Sequence, residues 1–306
     1  MDVGRLRTLR ELSIRRTMAA AAEALRISPS AVSQQIALLE AEAGTRLIER
    51  RGRGVVLTQA GRRLAQRTER VLQELEAARL DLEEIKSVIS GELRVAAFPS
   101  VAASLVPNVA LALLASQPRL AFQFDEMEPH ESVVALRSWQ TDIALIDDLN
   151  VPQGQLDPQI RTLPLLSDVF NIVVPMSHRL VGQRAVELSQ LREERWAIDT
   201  ASEAYNRMLS EACSMAGFTP NIVARSRGFE VTIAMIREGY AISMIPGLRT
   251  SRDLEDVWVC RLVPEIRRQI SIAFRHDEER APAIKAFIEE VKLLVERQRL
   301  NCGNRV

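Results

Sequence analysis

The chain has 306 residues, three cysteines and a formal net charge of zero. An odd number of scattered cysteines argues against a disulfide framework, and no apolar run is long enough to span a membrane. Because no signal peptide is recognisable, we expect a cytoplasmic protein.

The charges are unevenly distributed along the chain. Residues 1–70 contain 14 Arg against seven Asp and Glu, so the remainder of the chain carries a net negative charge. A basic N-terminal segment on an acidic body indicates local binding to a polyanion rather than general adhesion.

The first part of the chain predicts three short helices. Residues 3–12 place apolar side chains at helical spacing, which predicts the first helix. Thr17 can cap the second helix, and residues 19–22 are alanines that let a neighbouring helix approach closely. Arg26 and Ile27 interrupt this second helix.

Ser28 and Pro29 predict the start of the third helix, because serine is a good N-cap and proline is tolerated at the first helical position. One stripe of this helix is apolar, and the opposite stripe is short, polar and uncharged. The polar stripe suits base edges in a DNA major groove, although an ordinary helical hairpin can show the same pattern. The apolar stripe is Val32, Ile36 and Leu39, and the polar stripe is Ser30, Ser33 and Gln34.

Residues 47–57 predict a small β-hairpin, since two short apolar runs flank a tip rich in glycine and arginine. Arg50, Arg51 and Arg53 lie at this tip, where they can reach phosphates or a minor groove. A solvated arginine surface is the alternative, and the neighbouring helices favour a DNA-contacting wing.

These motifs resemble the winged helix-turn-helix of LysR-type transcriptional regulators over about the first ninety residues. The resemblance rests on Ala-Ala-x-x-Leu in the second helix, Ser-x-x-Ala-Val-Ser in the third and Leu-Thr-x-Ala-Gly after the hairpin. It implies a sequence-specific DNA-binding regulator. Pro29 and Ser30 stand where many members have Gln-Pro, so we expect a different operator preference. The DNA contacts expected are Thr17, Ser28, Pro29, Ser30, Ser33, Gln34, Arg50, Arg51 and Arg53.

Residues 58–90 predict a long linker helix that Thr58 can cap. Apolar or small side chains recur along it at alternating steps of four and three up to Ile89, which is typical of a dimer seam. Packing on its own domain is the alternative. The resemblance implies that two such helices pair, in a homodimer or homotetramer that reads an inverted repeat. The dimer contacts expected are Leu64, Val71, Leu75, Leu82 and Ile85.

The remaining segment alternates predicted strands and helices, which indicates an open, mostly parallel α/β sheet with helices on both faces. Strands are predicted near residues 93–98, 120–124, 143–146, 171–174, 196–198, 222–223, 241–245 and 270–274. Helices are predicted over residues 101–116, 131–139, 203–216, 229–237 and 282–297.

This segment resembles the two-lobed, periplasmic-binding-protein-like effector domain of the same family. We therefore expect an α/β multidomain protein. Its expected domains are a DNA-binding domain at 1–57, a linker helix at 58–90 and an effector domain at 91–297, with lobe I at 91–164 and 267–297 and lobe II at 165–266.

Ligands of such sheets bind where strands end near helix N-termini, and this rule selects a candidate effector site. Ser100 and Ser202 can be helix caps alone, and Asp147 and Arg227 can be solvated loop charges. Hydroxyls, helix N-termini and an arginine suit a carboxylate or another small polar metabolite. The effector contacts expected are Ser100, Val101, Asp147, Thr200, Ser202, Arg227, Ile245 and Pro246.

Two other functions remain open. Two-lobed folds also host enzymes, and the cleft contains Ser100 and Asp147, but no nucleophile–base pair, phosphate loop or dinucleotide fingerprint is visible. A ligand-independent architectural DNA-binding protein would need no cleft. We expect no cofactor and no metal site, since the histidines are far apart, and we interpret Cys213 and Cys260 as core residues rather than redox sensors.

Overall fold

The computed structural model describes residues 1–51, 54–86, 89–152, 156–250, 254 and 256–303. Of residues 50, 51, 73, 76, 77, 79–86 and 298–303 it describes the backbone alone. The described elements form an N-terminal head, a long helix and a two-lobed body.

The head contains three helices and a hairpin, as the sequence predicts. They are α1 (Val3–Arg15), α2 (Met18–Ala24), α3 (Pro29–Ala43) and the antiparallel strands β1 (Ile48–Arg51) and β2 (Gly54–Leu57).

The helix boundaries in the head follow from local hydrogen bonds. The Thr17 hydroxyl accepts the N–H of Ala20 at 3.2 Å, and the Ser28 hydroxyl accepts the N–H of Ala31 at 3.1 Å. Gly44 ends α3 with a φ of +64°, a conformation that glycine adopts without strain. The apolar stripes of the three helices then meet in one core, which includes Leu6, Leu9, Leu12, Val32, Ile36 and Leu39.

Helix α4 (Gln59–Lys86) begins behind Thr58, whose hydroxyl accepts the N–H of Gly61 at 3.0 Å. The backbone of Gly61 lies directly against that of Leu47 at the start of the hairpin. This close approach fixes the direction in which α4 leaves the head.

The residues of the expected dimer seam along α4 lie in two environments, the first ones against the head and the next ones exposed. Leu64 packs partly buried against the core of the head, and Thr68 is buried, because α4 lies across α1. Val71 and Leu75, one and two turns further on, are 41% and 48% exposed. The side chains of Leu82 and Ile85 are outside the described part of the chain.

One expectation for α4 is therefore wrong. The helix does not continue to Ile89, which instead packs against the core of the body as the chain enters its first strand. Leu64 packs in part on the head of its own chain, and its contact with a partner helix stays a prediction.

Lobe I of the body is built on one half of a sheet whose neighbouring strands are β4, β3, β5, β12 and β6. Strand β3 is parallel to β4 and β5, whereas β12 is antiparallel to β5 and β6. The strands are β3 (Gly91–Ala97), β4 (Leu120–Glu126), β5 (Ile143–Asp147), β6 (Ile160–Pro175) and β12 (Arg267–Arg275). The helices are α5 (Pro99–Ser104), α6 (Val106–Ser116), α7 (Pro129–Arg137) and α11 (Pro282–Gly303).

Lobe II continues the sheet beyond β6 and adds a separate parallel pair. Strands β10 and β11 are antiparallel to β6, and β8 is parallel to β9. The strands are β7 (Ala185–Val186), β8 (Arg195–Asp199), β9 (Asn221–Ser226), β10 (Ser243–Pro246) and β11 (Val257–Leu262). The helices are α8 (Glu203–Met215), α9 (Phe229–Arg237) and α10 (Gly247–Thr250). Cys213 and Cys260 are buried in its core.

The two lobes are joined by β6 and by the return of the chain into β12. Residues 160–169 of β6 pair with β12, and residues 170–175 pair with β10 and β11. A single strand thus carries hydrogen bonds in both lobes, so the crossing from one lobe to the other lies near residues 168–170.

The structure corrects three predicted features of the body. The sheet is mixed rather than mostly parallel, because β12 and β6 run against their neighbours. The helix predicted over 101–116 is two helices that break at Leu105, just before Pro107 in the first turn of α6. Strand β11 and the first half of β6 were not predicted.

In the described parts of the chain, every helix is too short or too polar to cross a membrane.

We predict that Gly61→Ala lowers the free energy of unfolding by roughly 1–3 kcal/mol. A Cβ at this position would overlap the Leu47 carbonyl oxygen and lie 2.9 Å from its carbon, and both atoms belong to backbone that cannot swing away. Urea unfolding measures the change. Gln66→Ala, at an exposed position one turn along α4, is the matched control and should be near neutral. Equal stability of the two variants would contradict the close approach.

Candidate functional site

A buried arginine occupies the crossing between the lobes. Arg268 on β12 is 6% exposed and lies directly opposite Asp168 on β6. Its Nε and Nη2 donate to Oδ2 of Asp168 at 3.1 and 2.8 Å, and its Nη1 donates to Oδ2 of Asp147 at 3.2 Å. Its Nη2 also donates to the Ser100 hydroxyl at 2.7 Å. One guanidinium therefore holds together the end of β5, the middle of β6 and the first turn of α5.

Two aromatic rings and a short helix complete this cluster. The guanidinium carbon of Arg268 lies 4.9 Å from the ring centroid of Phe98 and 5.3 Å from that of Phe170. The second oxygen of Asp168 accepts the N–H of Leu248 at 3.0 Å, at the start of α10. The cluster thus reaches from lobe I into lobe II.

A cavity of about 810 Å³ opens between the lobes beside Arg268. This volume is within the usual range for small-molecule sites, about 300–1,000 Å³. Lobe I contributes the ends of β3, β4 and β5, and lobe II contributes the residues that follow β8 and β9 together with β10. The cavity lies where strands end and helices begin, as the sequence predicts for a ligand site.

Six of the eight expected effector residues line this cavity: Ser100, Asp147, Ser202, Arg227, Ile245 and Pro246. Two of the six have protein partners that the sequence did not reveal. Ser100 is not the N-cap of α5, a position held by Phe98, and its hydroxyl accepts from Arg268. Asp147 pairs with Arg268 and also accepts from the side chain of Asn150 at 2.9 Å.

The structure places Val101 and Thr200 outside the lining of the cavity. Val101 is fully buried in the core of lobe I, and its N–H is bonded to the Phe98 carbonyl. The Thr200 hydroxyl donates to the Ser226 carbonyl at 2.9 Å, because β8 and β9 end side by side. Neither side chain reaches the cavity.

Ser202 and Arg227 keep the positions expected of them in lobe II. The Ser202 hydroxyl caps α8 by accepting the N–H of Tyr205 at 3.3 Å, and it borders the cavity as well. Arg227 is exposed at the mouth of the cavity. A cap and a cavity contact are thus compatible in the same residue.

Sequence reasoning missed the two carboxylates that face each other across the cavity. Glu128 precedes α7 in lobe I, and Asp199 ends β8 in lobe II. Asp199 accepts the N–H of Ala201 at 2.9 Å and that of Gly228 at 3.4 Å. The strand-end rule applies to Asp199 just as it does to Asp147, so that signal was available. Glu128 gave none, because glutamate before a helix is common.

The pKa of Glu128 is raised to about 7 by burial and by the negative charges of Asp147, Asp199 and Glu131, while Arg268 opposes the shift. A proton on Glu128 is thus exchanged near neutral pH. Burial of the carboxyl group is the largest cause, and the neighbouring carboxylates of both lobes add to it.

The head presents the polar face of α3 that the sequence predicts. Ser30, Ser33 and Gln34 are exposed, whereas the next residue, Gln35, is hydrogen-bonded to Thr8 of α1. Thr17 and Ser28 act as caps, and Pro29 is exposed in the first turn of α3. The side chains of Arg50 and Arg51, and the whole of Arg53, lie outside the described part of the chain.

Helix α7 connects the cavity to the head. It begins at Glu128 on the cavity and ends at Arg137, whose carbonyl oxygen accepts a hydrogen bond from Arg10 of α1. Arg10 is 5% exposed and donates to both oxygens of Glu69 on α4, at 2.7 and 3.2 Å. The head thus rests on the C-terminal end of α7 through a buried arginine.

Two family descriptions match the chain. Residues 3–62 match "Bacterial regulatory helix-turn-helix protein, lysR family". Residues 86–294 match "LysR substrate binding domain". The first covers the head and the start of α4, and the second covers the body.

Two named regulators match the chain along most of its length. A hydrogen peroxide-inducible genes activator of Pectobacterium carotovorum is 26% identical over 278 residues, which are 90% of each chain. The transcriptional dual regulator GltC of Bacillus subtilis is 24% identical, over 95% of this chain and 96% of that protein.

Solved structures share the fold along nearly the whole chain. Full-length OxyR C199D from Pseudomonas aeruginosa superimposes with a TM-score of 0.69 at 22% identity, over 96% of this chain and 95% of that one. CbnR in complex with its target DNA superimposes with a TM-score of 0.56 at 24% identity, over 96% of this chain and all of that one.

We predict that Arg268→Met destabilises the protein by about 3–5 kcal/mol, because Asp147 and Asp168 would remain buried without their partner. Thermal and urea unfolding measure this loss. Arg267→Met changes the adjacent, exposed residue and should alter stability by less than about 0.5 kcal/mol. Adding Asp147→Asn and Asp168→Asn to Arg268→Met should recover part of the loss, and no recovery would contradict the charge argument.

We predict that Glu128→Gln stabilises the protein above neutral pH and not in acid. A raised carboxyl pKa means that the folded state holds the proton more tightly, so its contribution is present below about 4.5 and lost as the pH rises through about 7. Because glutamine carries no titrating proton, the variant does not lose this stability, and its free energy of unfolding at about pH 8 should exceed that of the parent protein by about 1–3 kcal/mol. Urea unfolding at about pH 4.5 and about pH 8 tests it, with the exposed Glu126→Gln as control. A gain of equal size at both values would exclude the proton as its cause.

Proposed function

The chain belongs to the LysR family of DNA-binding transcriptional regulators, and from that premise we propose that it reads a promoter through α3 and is controlled by a small molecule in the cleft. The observation that carries the proposal is the combination, in one chain, of an exposed polar face on α3 and an 810 Å³ cavity between two lobes. The structure of CbnR with its target DNA supports the first half by analogy.

In this proposal Ser30, Ser33 and Gln34 contact base edges, and Arg50, Arg51 and Arg53 of the hairpin contact phosphates or the minor groove. Ser33 and Gln34 are exposed and can turn towards a groove, the Ser30 hydroxyl lies 2.8 Å from that of Ser28, and Gln35 is bonded to Thr8. The N-termini of α2 and α3, capped by Thr17 and Ser28 and followed at α3 by Pro29, can approach phosphates.

The second part of the proposal is a homodimer, or a dimer of dimers, on an inverted-repeat site. Val71 and Leu75 support it, because they are large apolar side chains that α4 leaves exposed after Leu64 has packed on the head. A partner helix would cover them, together with Leu82 and Ile85 further along the seam. Two heads held by such a pair match two half-sites.

The alternatives gain no support from the cleft. The Ser100 hydroxyl contacts a guanidinium, which cannot act as a general base, and the full-length relatives are named as regulators. An architectural DNA-binding protein has no use for a cavity of this volume. Genome-wide mapping of bound sites, together with thermal-shift screening of a metabolite library, tests the proposal, and a ligand that is consumed would instead favour an enzyme.

We infer that α7 transmits the state of the cleft to the head. A ligand that displaces Glu128 acts on the first turn of α7, and the last carbonyl of that helix is bonded to Arg10. A short rigid helix moves as a unit, so a shift at one end changes the support of the head at the other.

We predict that Gln34→Ala lowers operator affinity by about 1–3 kcal/mol without changing stability, because one base contact is lost. Fluorescence anisotropy on a site recovered by genomic selection measures it. Arg53→Ala is the comparison: it should weaken binding to every sequence and reduce the dependence on salt concentration. An unchanged affinity and footprint for Gln34→Ala would contradict the assignment.

We predict that Arg10→Gln removes the difference in operator affinity between the free and the ligand-saturated protein. The variant loses the bond to the Arg137 carbonyl, while Arg15 keeps Glu11 paired at 3.4 Å. Anisotropy with and without a ligand found by the screen measures the difference. Arg26→Gln breaks only the exposed pair with Asp125 and should preserve it. A difference that survives in Arg10→Gln would exclude this route.

A further inference from the structure

The charges that line the cavity do not balance. Five carboxylates and three guanidinium groups border it. Arg268 is shared by Asp147 and Asp168, and Arg249 lies 3.5 Å from Glu230 and over the ring of Phe229. After these pairs, Glu126, Glu128 and Asp199 face one remaining cation among the described residues, Arg227.

Of the three guanidinium groups, that of Arg227 contributes least positive potential to the cavity. Arg227 is exposed at the mouth, so water screens its charge, whereas Glu128 is half-buried beside Asp147. Burial and, after it, the charges of Asp147 and Asp199 raise the pKa of Glu128, so carboxylates of both lobes act on the same group. The lining of the cleft therefore carries more negative than positive charge.

The rest of the wall is apolar and partly aromatic. The rings of Phe98, Phe122, Phe124 and Phe229 border the cavity. Val106, Met244 and Ile245 add aliphatic surface. Such a wall buries the body of an organic molecule, and aromatic faces attract cations. Guanidinium groups already lie over Phe98 and Phe229, so the wall supports an apolar body in the ligand, and the carboxylates support its positive charge.

We propose that the effector is an organic cation: an amphipathic amine or amidine whose charged group lies between Glu128 and Asp199 and whose apolar body lies against the phenylalanines. This inference rests on the proposed function, since it concerns the ligand of that same cleft. It replaces the carboxylate suggested by Ser100 and Arg227, because the Ser100 hydroxyl is bonded to Arg268 and a carboxylate would meet uncompensated negative charge.

The experiment compares ligands that share one body and differ in charge. Isothermal titration on the full chain uses phenethylamine, phenethyl alcohol and hydrocinnamate, with tryptamine as a larger amine and ethylamine as a cation without the apolar body. We expect saturable binding of phenethylamine or tryptamine at least about tenfold tighter than that of hydrocinnamate, with the alcohol between them and ethylamine weak.

Two variants locate the charge. Glu128→Gln and Asp199→Asn each should weaken amine binding by about tenfold or more and leave phenethyl alcohol unchanged. Glu193→Gln, an exposed residue of lobe II away from the cavity, is the matched control and should bind like the parent protein. Thermal unfolding of each variant shows that the body is folded.

The pH dependence of amine binding provides a second measurement. Protonation of Glu128 below about pH 7 should weaken amine binding in the parent protein, and Glu128→Gln should lose this dependence. The charged groups that act on Glu128 are Asp147, Asp199, Glu131 and Arg268. A purely structural role for Glu128 would not give a charge-selective change.

Several outcomes would overturn the inference. They are absence of saturable binding by both aromatic amines, tighter binding of hydrocinnamate, and amine binding that neither variant weakens. Failure of the proposed function would look different, because it would appear as loss of specific operator binding by the unliganded parent protein. The two failures are measured in separate assays.

Discussion

The burial of the Arg268 guanidinium is the constraint on which the two-lobed body depends. An ionised side chain away from water costs several kcal/mol unless its partners are buried with it. The partners here come from β5, β6 and α5, and Asp168 also accepts an N–H at the start of α10. Moving β5 or β6 would separate a buried charge from its counterion, and moving α5 or α10 would break a buried hydrogen bond, so the crossing between the lobes is held at a defined geometry.

The same cluster decides the chemistry of the cleft. Arg268 takes up Ser100 and Asp147, so the charged groups left to a ligand are Glu126, Glu128, Asp199 and Arg227, beside an apolar wall. Three arginines line the cleft, and its carboxylates outnumber them. Glu128 also begins α7, whose far end supports the head through Arg10. One short helix, α7, thus joins Glu128 in the cleft to the DNA-binding head.

Prediction from the sequence succeeded where the determinants lie close together along the chain. Thr17, Ser28 and Thr58 cap helices three residues ahead of them, and Gly44 ends α3 by its own backbone freedom. Prediction failed where distant segments decide. The direction of β12 beside β5 is not recorded in its apolar pattern, and Ile89 continues the heptad spacing although lobe I covers it. The apolar spacing predicted that Leu64 is on a packed face of α4, but it did not show that this face packs in part on the head of the same chain.

The sequence by itself determined the winged head, the α/β alternation and the place of the cleft, because caps, apolar periodicity and strand ends act over a few residues. Only the tertiary structure decided what the cleft offers to a ligand. Arg268 is 100 residues from Asp168, 121 from Asp147 and 168 from Ser100 along the chain. No local pattern records such pairs. The serine and the aspartate that the sequence assigned to a ligand therefore bind the protein's own arginine, since a buried charge has to be compensated from whichever segments the fold brings to it.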